Sequence, residues 1–318
     1  MLGMTPATFE DVRAHLDALK AGTRRPRHPS YVKDVAEKIG IQVWPEFVER
    51  ACDTRAEVYL NGGWRGTKTH SADFSAFLYI FDLVMLYEGE HLIWIIGPDY
   101  PQARPDFFNL VEWCRPMGFA VTATDRQDGS LRATVSMKNF PGVVVIETKS
   151  GSNPQTLGAV GPKVILACEA GQMTAETRDR IRGRSSTYNA PIIWSGTFEN
   201  EDGKPVFAWF EKESLEYLKN PTPRRKAYSL PSYGNLALFG SCREGFGSVD
   251  LDPTLAAFCP DENHGPDHRG VDPDHPAKIV GTSGVPRHPK LRELYEDCRT
   301  RPLYWKKFYQ GEPVGITN

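Results

Sequence analysis

Apolar residues recur at helical spacing over residues 5–20 and again over 31–53, with charged residues between them, so two amphipathic helices are predicted at the N-terminus. From residue 55 the texture changes. "AEVYL" is a short β-rich run, a glycine-bearing stretch follows it, and "SADFSAFLYIFDLVMLY" then returns to helical spacing. "HLIWIIGPDY" (91–100) is apolar without alternation, the pattern of a strand buried on both faces of a parallel sheet. "RPDFFNLVEWCRPMG" reads as a crossover helix. "ATVSMKNFPGVVVIETKSG" supplies one or two strands, "KVILACEA" another, and "APIIWSGTFEN" another after a helix near 174–183. Residues 206–220 read as a further strand–helix pair. Strands alternating with helices predict an α/β fold with a mostly parallel central sheet and right-handed crossovers.

This pattern divides the chain into a helical region (1–54), an α/β core (55–220) and a C-terminal part (221–318) dense in proline and glycine. The last part carries a polar insertion at 259–289 and a closing helix after it. Composition adds little to the picture. With 318 residues, 40% hydrophobic and 25% charged, the chain can bury a sizeable core. Its longest apolar run, Phe77–Tyr87, contains Asp82 and falls short of the roughly 18 residues of a membrane span. The N-terminus lacks the pattern of a signal peptide. Six cysteines without CxxC pairs suit a reduced, cytosolic setting.

A net charge of −2 argues against a dedicated, static nucleic-acid binder, though not against a transient grip through a local basic patch. "GTRRPRHPSY" (22–31) is such a basic run, read either as a solvated linker or as a DNA or partner contact. In the insertion, Cys259, Asp261, His264, Asp267, His268, His275 and His288 could begin a zinc site. Their spacing does not complete the usual set of about four ligands, so an exposed loop is expected.

"YLNGGWRGTKTH" (59–70) raises the sharper chemistry. A P-loop asks for Gly, four residues, then Gly-Lys-Ser/Thr. Gly62, Lys68 and Thr69 fit, but Thr67 stands where the second glycine belongs. Gly62, Gly63 and Gly66 can supply tight backbone, Lys68 a cation for β/γ-phosphates, Thr69 a hydroxyl for Mg²⁺, and Arg65 a further positive charge beside Trp64. Thr67 is tolerable if its backbone is helical, since only positive φ demands glycine. Without further support the stretch is a nucleotide loop or a plain turn.

Two strand ends support the first reading. "KVILACEAGQM" places Glu169 where a water-activating base would sit after an apolar strand. Cys168 occupies the position of a metal-associated aspartate, and a thiol is a poor partner for Mg²⁺, which prefers hard oxygen ligands. "IIWSGT" ends a strand in Ser195, Gly196 and Thr197, whose hydroxyls could sense a γ-phosphate. Ligands collect at the carboxyl ends of parallel strands, so the three stretches are jointly more informative than each alone.

Together, "GGWRGTKT", "IWIIGPDYPQARPDFFNL", "ETKSGSNPQTLGAVGPKVILACEAGQM" and "IIWSGT" resemble, in order, the ATPase domain of a tailed-phage terminase large subunit, the DNA-packaging motor. The resemblance covers roughly 55–318 and extends to "YSLPSYGNLALF" on the lid side and "FYQGEP" near the end. It implies a P-loop NTPase fold and ATP with Mg²⁺ as cofactors. It assigns phosphate contacts to Gly62–Thr69, the water-activating base to Glu169, the Walker B metal position to Cys168, and the coupling element to Ser195–Thr197. It implies hydrolysis that drives double-stranded DNA into a procapsid in the host cytoplasm. The implied partners are a portal protein, a terminase small subunit and further copies in a ring of five.

Departures from the family pattern are Thr67, Cys168 and a missing arginine before the Walker B strand. Arg178, Arg180, Arg182 and Arg184 are then the candidates for an arginine acting in trans. The nuclease domain that normally follows is expected to be absent from these residues. Two rivals remain: an assembly module that keeps the fold without turnover, and a helicase-like translocase, which would need arginine motifs in a second core domain that does not fit here.

Overall fold

The computed structural model describes Glu10, Ala14, Asp17 and residues 25–63, 67–158, 160–198, 208–230, 271–280, 284–287, 292–293 and 295–296. The chain divides into two compact units. The first comprises Met1–Val43, Phe47–Leu60 and Thr69–Tyr228; the second comprises Trp44–Glu46, Asn61–Lys68 and Ser229–Asn318.

The first unit contains most of an eight-stranded sheet in the order β3-β4-β5-β2-β6-β7-β1-β8. Its strands are β1 (Glu57–Gly62), β2 (Gly89–Gly97), β3 (Ala120–Asp125), β4 (Leu131–Ser136), β5 (Gly142–Ser150), β6 (Val164–Ala167), β7 (Ile192–Gly196) and β8 (Arg225–Leu230). β2 pairs parallel with β5 and β6, and β6 pairs parallel with β7. The expected α/β fold with a mostly parallel sheet is therefore present. Its central strands β1, β6 and β7 are buried along their whole length, as strands inside a parallel sheet covered on both faces are.

One edge differs from expectation. The stretch expected to supply one or two strands (133–151) holds two, β4 and β5, but a further strand, β3, precedes it unexpected, and β3–β4 and β4–β5 are antiparallel. β4 alternates buried and half-buried positions with Leu131, Ala133 and Val135 inward, while β3 is largely exposed. A mostly polar edge strand carries too little apolar signal to stand out in sequence.

Helices α1 (Pro29–Lys38) and α2 (Pro45–Cys52) replace the single helix expected over 31–53. Gly40 in the left-handed region (φ +73°) and Pro45, which presets a new first turn, break the run. α3 (Lys68–Leu86) is apolar on every side and buried throughout Ser71–Met85, which explains why its sequence lacks a polar face. Its Asp82 is satisfied by Tyr31 Oη at 2.6 Å and Arg27 Nη2 at 3.1 Å. Arg27, from the basic run read as a linker or contact, is thus an internal ion-pair partner.

α4 (Tyr100–Cys114) starts at Asp99, whose Oδ1 accepts from the Gln102 N–H at 2.9 Å. α5 (Ala175–Ser185) is capped by Thr174, and α6 (Ala208–Lys219) follows β7. The strand expected just before α6, the polar insertion up to residue 270 with Cys259, Asp261, His264, Asp267 and His268, His288, and much of the closing helix lie outside the described residues.

In the second unit, β9 (Val271–Asp272) pairs antiparallel with β10 (Val285–Pro286). Tyr295 is buried and its hydroxyl bridges the Ile279 N–H and the Ala277 carbonyl. No group of three or more His, Cys, Asp or Glu that could hold a metal ion occurs among the described residues, and His275 instead accepts from the Ala277 N–H at 3.1 Å. Among those residues no helix is long and apolar enough to cross a membrane.

Candidate functional site

The first strand feeds the glycine loop. Gly62 ends β1, and the Gly63 N–H donates to the Leu230 carbonyl at 3.2 Å. A Cβ on Gly62 would stand 2.5 Å from that same oxygen, so this position accepts only glycine. Trp64, Arg65 and Gly66 lie outside the described residues. Thr67 has φ +62°, the left-handed region, where a β-branched side chain is strained. The helical backbone that would have excused threonine here is not what the chain adopts. Lys68 and Thr69 open α3.

The other two motifs sit side by side. In the parallel register Ile96 faces Ala167 and Ala167 faces Trp194, so Cys168 and Ser195 follow at one level on adjacent strand ends. Glu169 is half-buried and left-handed (φ +49°), at the start of a 3₁₀ turn (Ala170–Gln172). Such strain at a non-glycine residue is a feature to be explained by function or packing. Ser195 and Thr197 are buried. Gly196 touches the backbone of that turn, since a Cβ on it would lie 2.9 Å from the nitrogens of Ala170 and Gly171. Gln102 Nε2 on α4 donates to Gln172 Oε1 at 3.1 Å and ties a third element to the same turn.

Cys168 is buried, with its N–H 2.9 Å and its Sγ 3.3 Å from the Ile96 carbonyl. Burial, reinforced by the charges of Asp106, Asp73 and Glu169, pushes its thiol well above the ordinary range. At neutral pH it is therefore a thiol, unsuited to a hard cation.

Sequence reading missed two residues beside it. Asp73 on α3 is fully buried and Asp106 on α4 nearly so. Asn109 Nδ2 donates to Asp73 Oδ2 at 2.7 Å. Burial and the neighbouring Asp106 hold the Asp73 carboxyl well above the usual range, and burial chiefly raises Asp106 to about 6. Each keeps one oxygen, Oδ1, without a hydrogen-bond partner among the described residues. A carboxylate oxygen of Asp106 is a hard donor of the kind that suits the water shell of Mg²⁺, where the Cys168 thiol does not. The signal of Asp73 and Asp106 in the sequence was weak, because each is an isolated acid within its helix, outside any motif.

Three of the four arginines on α5 are engaged within the chain. Arg178 pairs with Glu213 at 3.0 Å and Arg180 with Glu176 at 2.9 Å. Arg182 Nη2 lies 2.8 Å from Glu57 and 2.6 Å from Glu213. Arg184 makes no ion pair among the described residues. A groove of about 540 Å³ lined by Trp94, Arg132, Glu147, Lys149, Lys163 and Tyr188 contains none of the residues picked out from sequence.

The fold matches known structures. The ATPase domain of the Thermus phage P74-26 large terminase, in a variant with one arginine replaced by alanine, superposes with TM-score 0.60 at 15% identity, covering 91% of this chain and all of that one. The fold is that of a phage large-terminase ATPase domain. The unsubstituted P74-26 domain gives TM-score 0.57 at 16% identity, covering 91% of this chain and 99% of its own. The HK97 bacteriophage large terminase gives 0.51 at 14% identity, covering 97% of this chain and 55% of that one. No protein-family model matches the sequence, and no curated protein does. Within the terminase-type fold, Cys168, Glu169, Ser195 and Gly196 stand at the carboxyl ends of neighbouring parallel strands, where such sheets take ligands.

Proposed function

We propose that this chain is the ATPase motor domain of a packaging terminase, hydrolysing ATP to drive double-stranded DNA into a procapsid. The observation that carries this reading is the contact between two neighbouring strand ends. Gly196 of the "SGT" stretch packs against the backbone of the turn that begins at Glu169. A base and a hydroxyl-bearing sensor placed so closely can pass the state of a phosphate to a moving element, because backbone contact leaves no slack between them. The terminase-type fold is a second support.

In this reading Gly62, Gly63 and Gly66 approach the phosphates and Lys68, with Arg65, neutralises β/γ charge. Thr69 offers its hydroxyl to Mg²⁺, which would supply charge stabilisation at the γ-phosphoryl oxygens. Glu169 orients and deprotonates the attacking water, and Ser195 to Thr197 respond to the departing phosphate. Rings of this chain, five to a ring, would dock on a portal protein in the host cytoplasm, with a terminase small subunit delivering DNA. An arginine from a neighbouring copy would complete the site.

A second reading has its own support. The neutral Cys168 thiol and the strained Thr67 favour an assembly module of the same complex that has lost turnover. ATP hydrolysis measured with and without DNA separates the two. The motor reading expects turnover in wild type and its loss by about 10²-fold or more in Glu169→Gln. No turnover from the chain alone or in its assembled complex rejects the motor, and hydrolysis surviving in Glu169→Gln rejects the base.

A further inference from the structure

Asp73 stands four residues after Thr69 on α3, on the same helix face. Across from it Asp106 rises from α4, and the two carboxyls face each other closely enough to share a hydrogen bond. Asp106 also faces the Cys168 thiol and lies within the field of Glu169. The line Thr69, Asp73, Asp106, Cys168, Glu169 thus runs from the start of the loop helix to the strand end.

This pair is costly as architecture. Two acids buried against one another cannot both be charged without strong repulsion, and a well-packed amide or apolar pair would be more stable. Neither Oδ1 has a hydrogen-bond partner among the described residues, so nothing there offsets the desolvation of those atoms. Unrewarded buried polar atoms of this kind are found where a ligand, ion or water completes them. At the neighbouring strand end the residue present is a thiol, and the hard oxygen that a nucleotide-bound Mg²⁺ calls for is missing.

We propose that Asp106, held in place by Asp73, supplies to the water shell of nucleotide-bound Mg²⁺ the carboxylate that position 168 lacks. The inference rests on the nucleotide-site reading above. Asp73 is then a positioning residue, itself fixed by Asn109. The cysteine at 168 ceases to mark a dead site, because the acid has moved from the strand to the facing helix.

The test is calorimetric titration of the full chain with the non-hydrolysable analogue AMP-PNP, with and without MgCl₂, alongside thermal melts. Wild type should bind more tightly with Mg²⁺. Asp106→Asn should lose about tenfold or more of that enhancement while its Mg²⁺-free binding is unchanged. Its melting temperature should hold or rise, an outcome that a purely structural role for the acid would reverse. Asp106→Asn with Cys168→Asp should regain the enhancement, since the acid returns to the strand end.

Cys168→Asp alone covers the case in which Asp106→Asn fails to fold. It should add nothing to wild-type Mg²⁺ enhancement if Asp106 already serves, and a gain of about tenfold overturns the proposal. Full enhancement in Asp106→Asn overturns it as well. Wild type that binds AMP-PNP without any Mg²⁺ effect overturns this inference alone, whereas wild type that binds no nucleotide overturns the functional reading with it.

Discussion

Gly196 and Ala170 approach so closely that a Cβ on the glycine would sit 2.9 Å from the alanine nitrogen. Backbone cannot yield there as a flexible side chain could. Gly196→Ala should therefore push β7 away from the Glu169 turn and cost about 1–3 kcal/mol of stability. A urea midpoint checks this. The same variant should depress ATP hydrolysis more than nucleotide binding, and an unchanged midpoint would show that the two strand ends separate freely.

Thr67 holds a left-handed backbone. A branched L-residue is strained by about 1–2 kcal/mol there, and glycine relieves that strain but loses part of the gain to its greater unfolded-chain entropy. Thr67→Gly should stabilise the chain by up to about 1 kcal/mol, whereas Thr67→Ala, which keeps a Cβ, should gain little. Paired thermal melts decide it. Equal melting of the two variants would mean that the loop backbone is not strained at this residue.

Glu57 sits at the centre of a buried network. Its Oε2 accepts from Arg182 Nε at 2.9 Å, Arg182 Nη2 at 2.8 Å and Trp194 Nε1 at 3.1 Å, and its Oε1 from Arg225 Nε at 2.7 Å. Removing Arg182 leaves Glu57 and Glu213 facing one another, so Arg182→Met should cost about 3 kcal/mol or more. Arg184, without an ion pair among the described residues, should change stability by less than about 0.5 kcal/mol when replaced by Ala. Chemical denaturation of both variants tests the contrast; equal effects would dissolve the distinction between structural and available arginines on α5.

The same network predicts an acid limit. Burial alone would raise the Glu57 carboxyl, but hydrogen bonds and charge from Arg182, with Arg225, outweigh it and hold the carboxyl below its ordinary value. A depressed folded-state value stabilises the fold above the unfolded carboxylate range, near about pH 4.3, and that contribution is lost as pH falls through the folded value. Wild-type stability should therefore drop below about pH 4 more steeply than that of Glu57→Gln. Parallel acid titrations of the two proteins would refute this by coinciding.

Much of the fold was legible in the chain because burial on both faces leaves an unmistakable trace. β2, β6 and β7 announced themselves as unbroken apolar runs, and α3 as an apolar helix after a glycine loop. β3 did not, since an exposed strand of Thr, Ala and Asp satisfies no hydrophobic period. The division between α1 and α2 rested on Gly40 and Pro45, two backbone cues that helical spacing on either side concealed.

The chemistry divides along the same physical line. By itself the sequence determined which residue types follow which strands: Lys68 and Thr69 after the glycines, Glu169 after β6, Ser195 to Thr197 at the end of β7. Those facts are local, and covalent continuity alone carries them. Only the tertiary structure decided that Cys168 and Ser195 stand level, that Gly196 presses on the Glu169 turn, and that Arg182 is an internal partner of Glu57. It alone brought Asp73 and Asp106 together beside Cys168, from helices 33 positions apart in the chain (106 − 73). Residues that far apart meet through the packing of α3 and α4, and no spacing along the chain encodes which acid will face which.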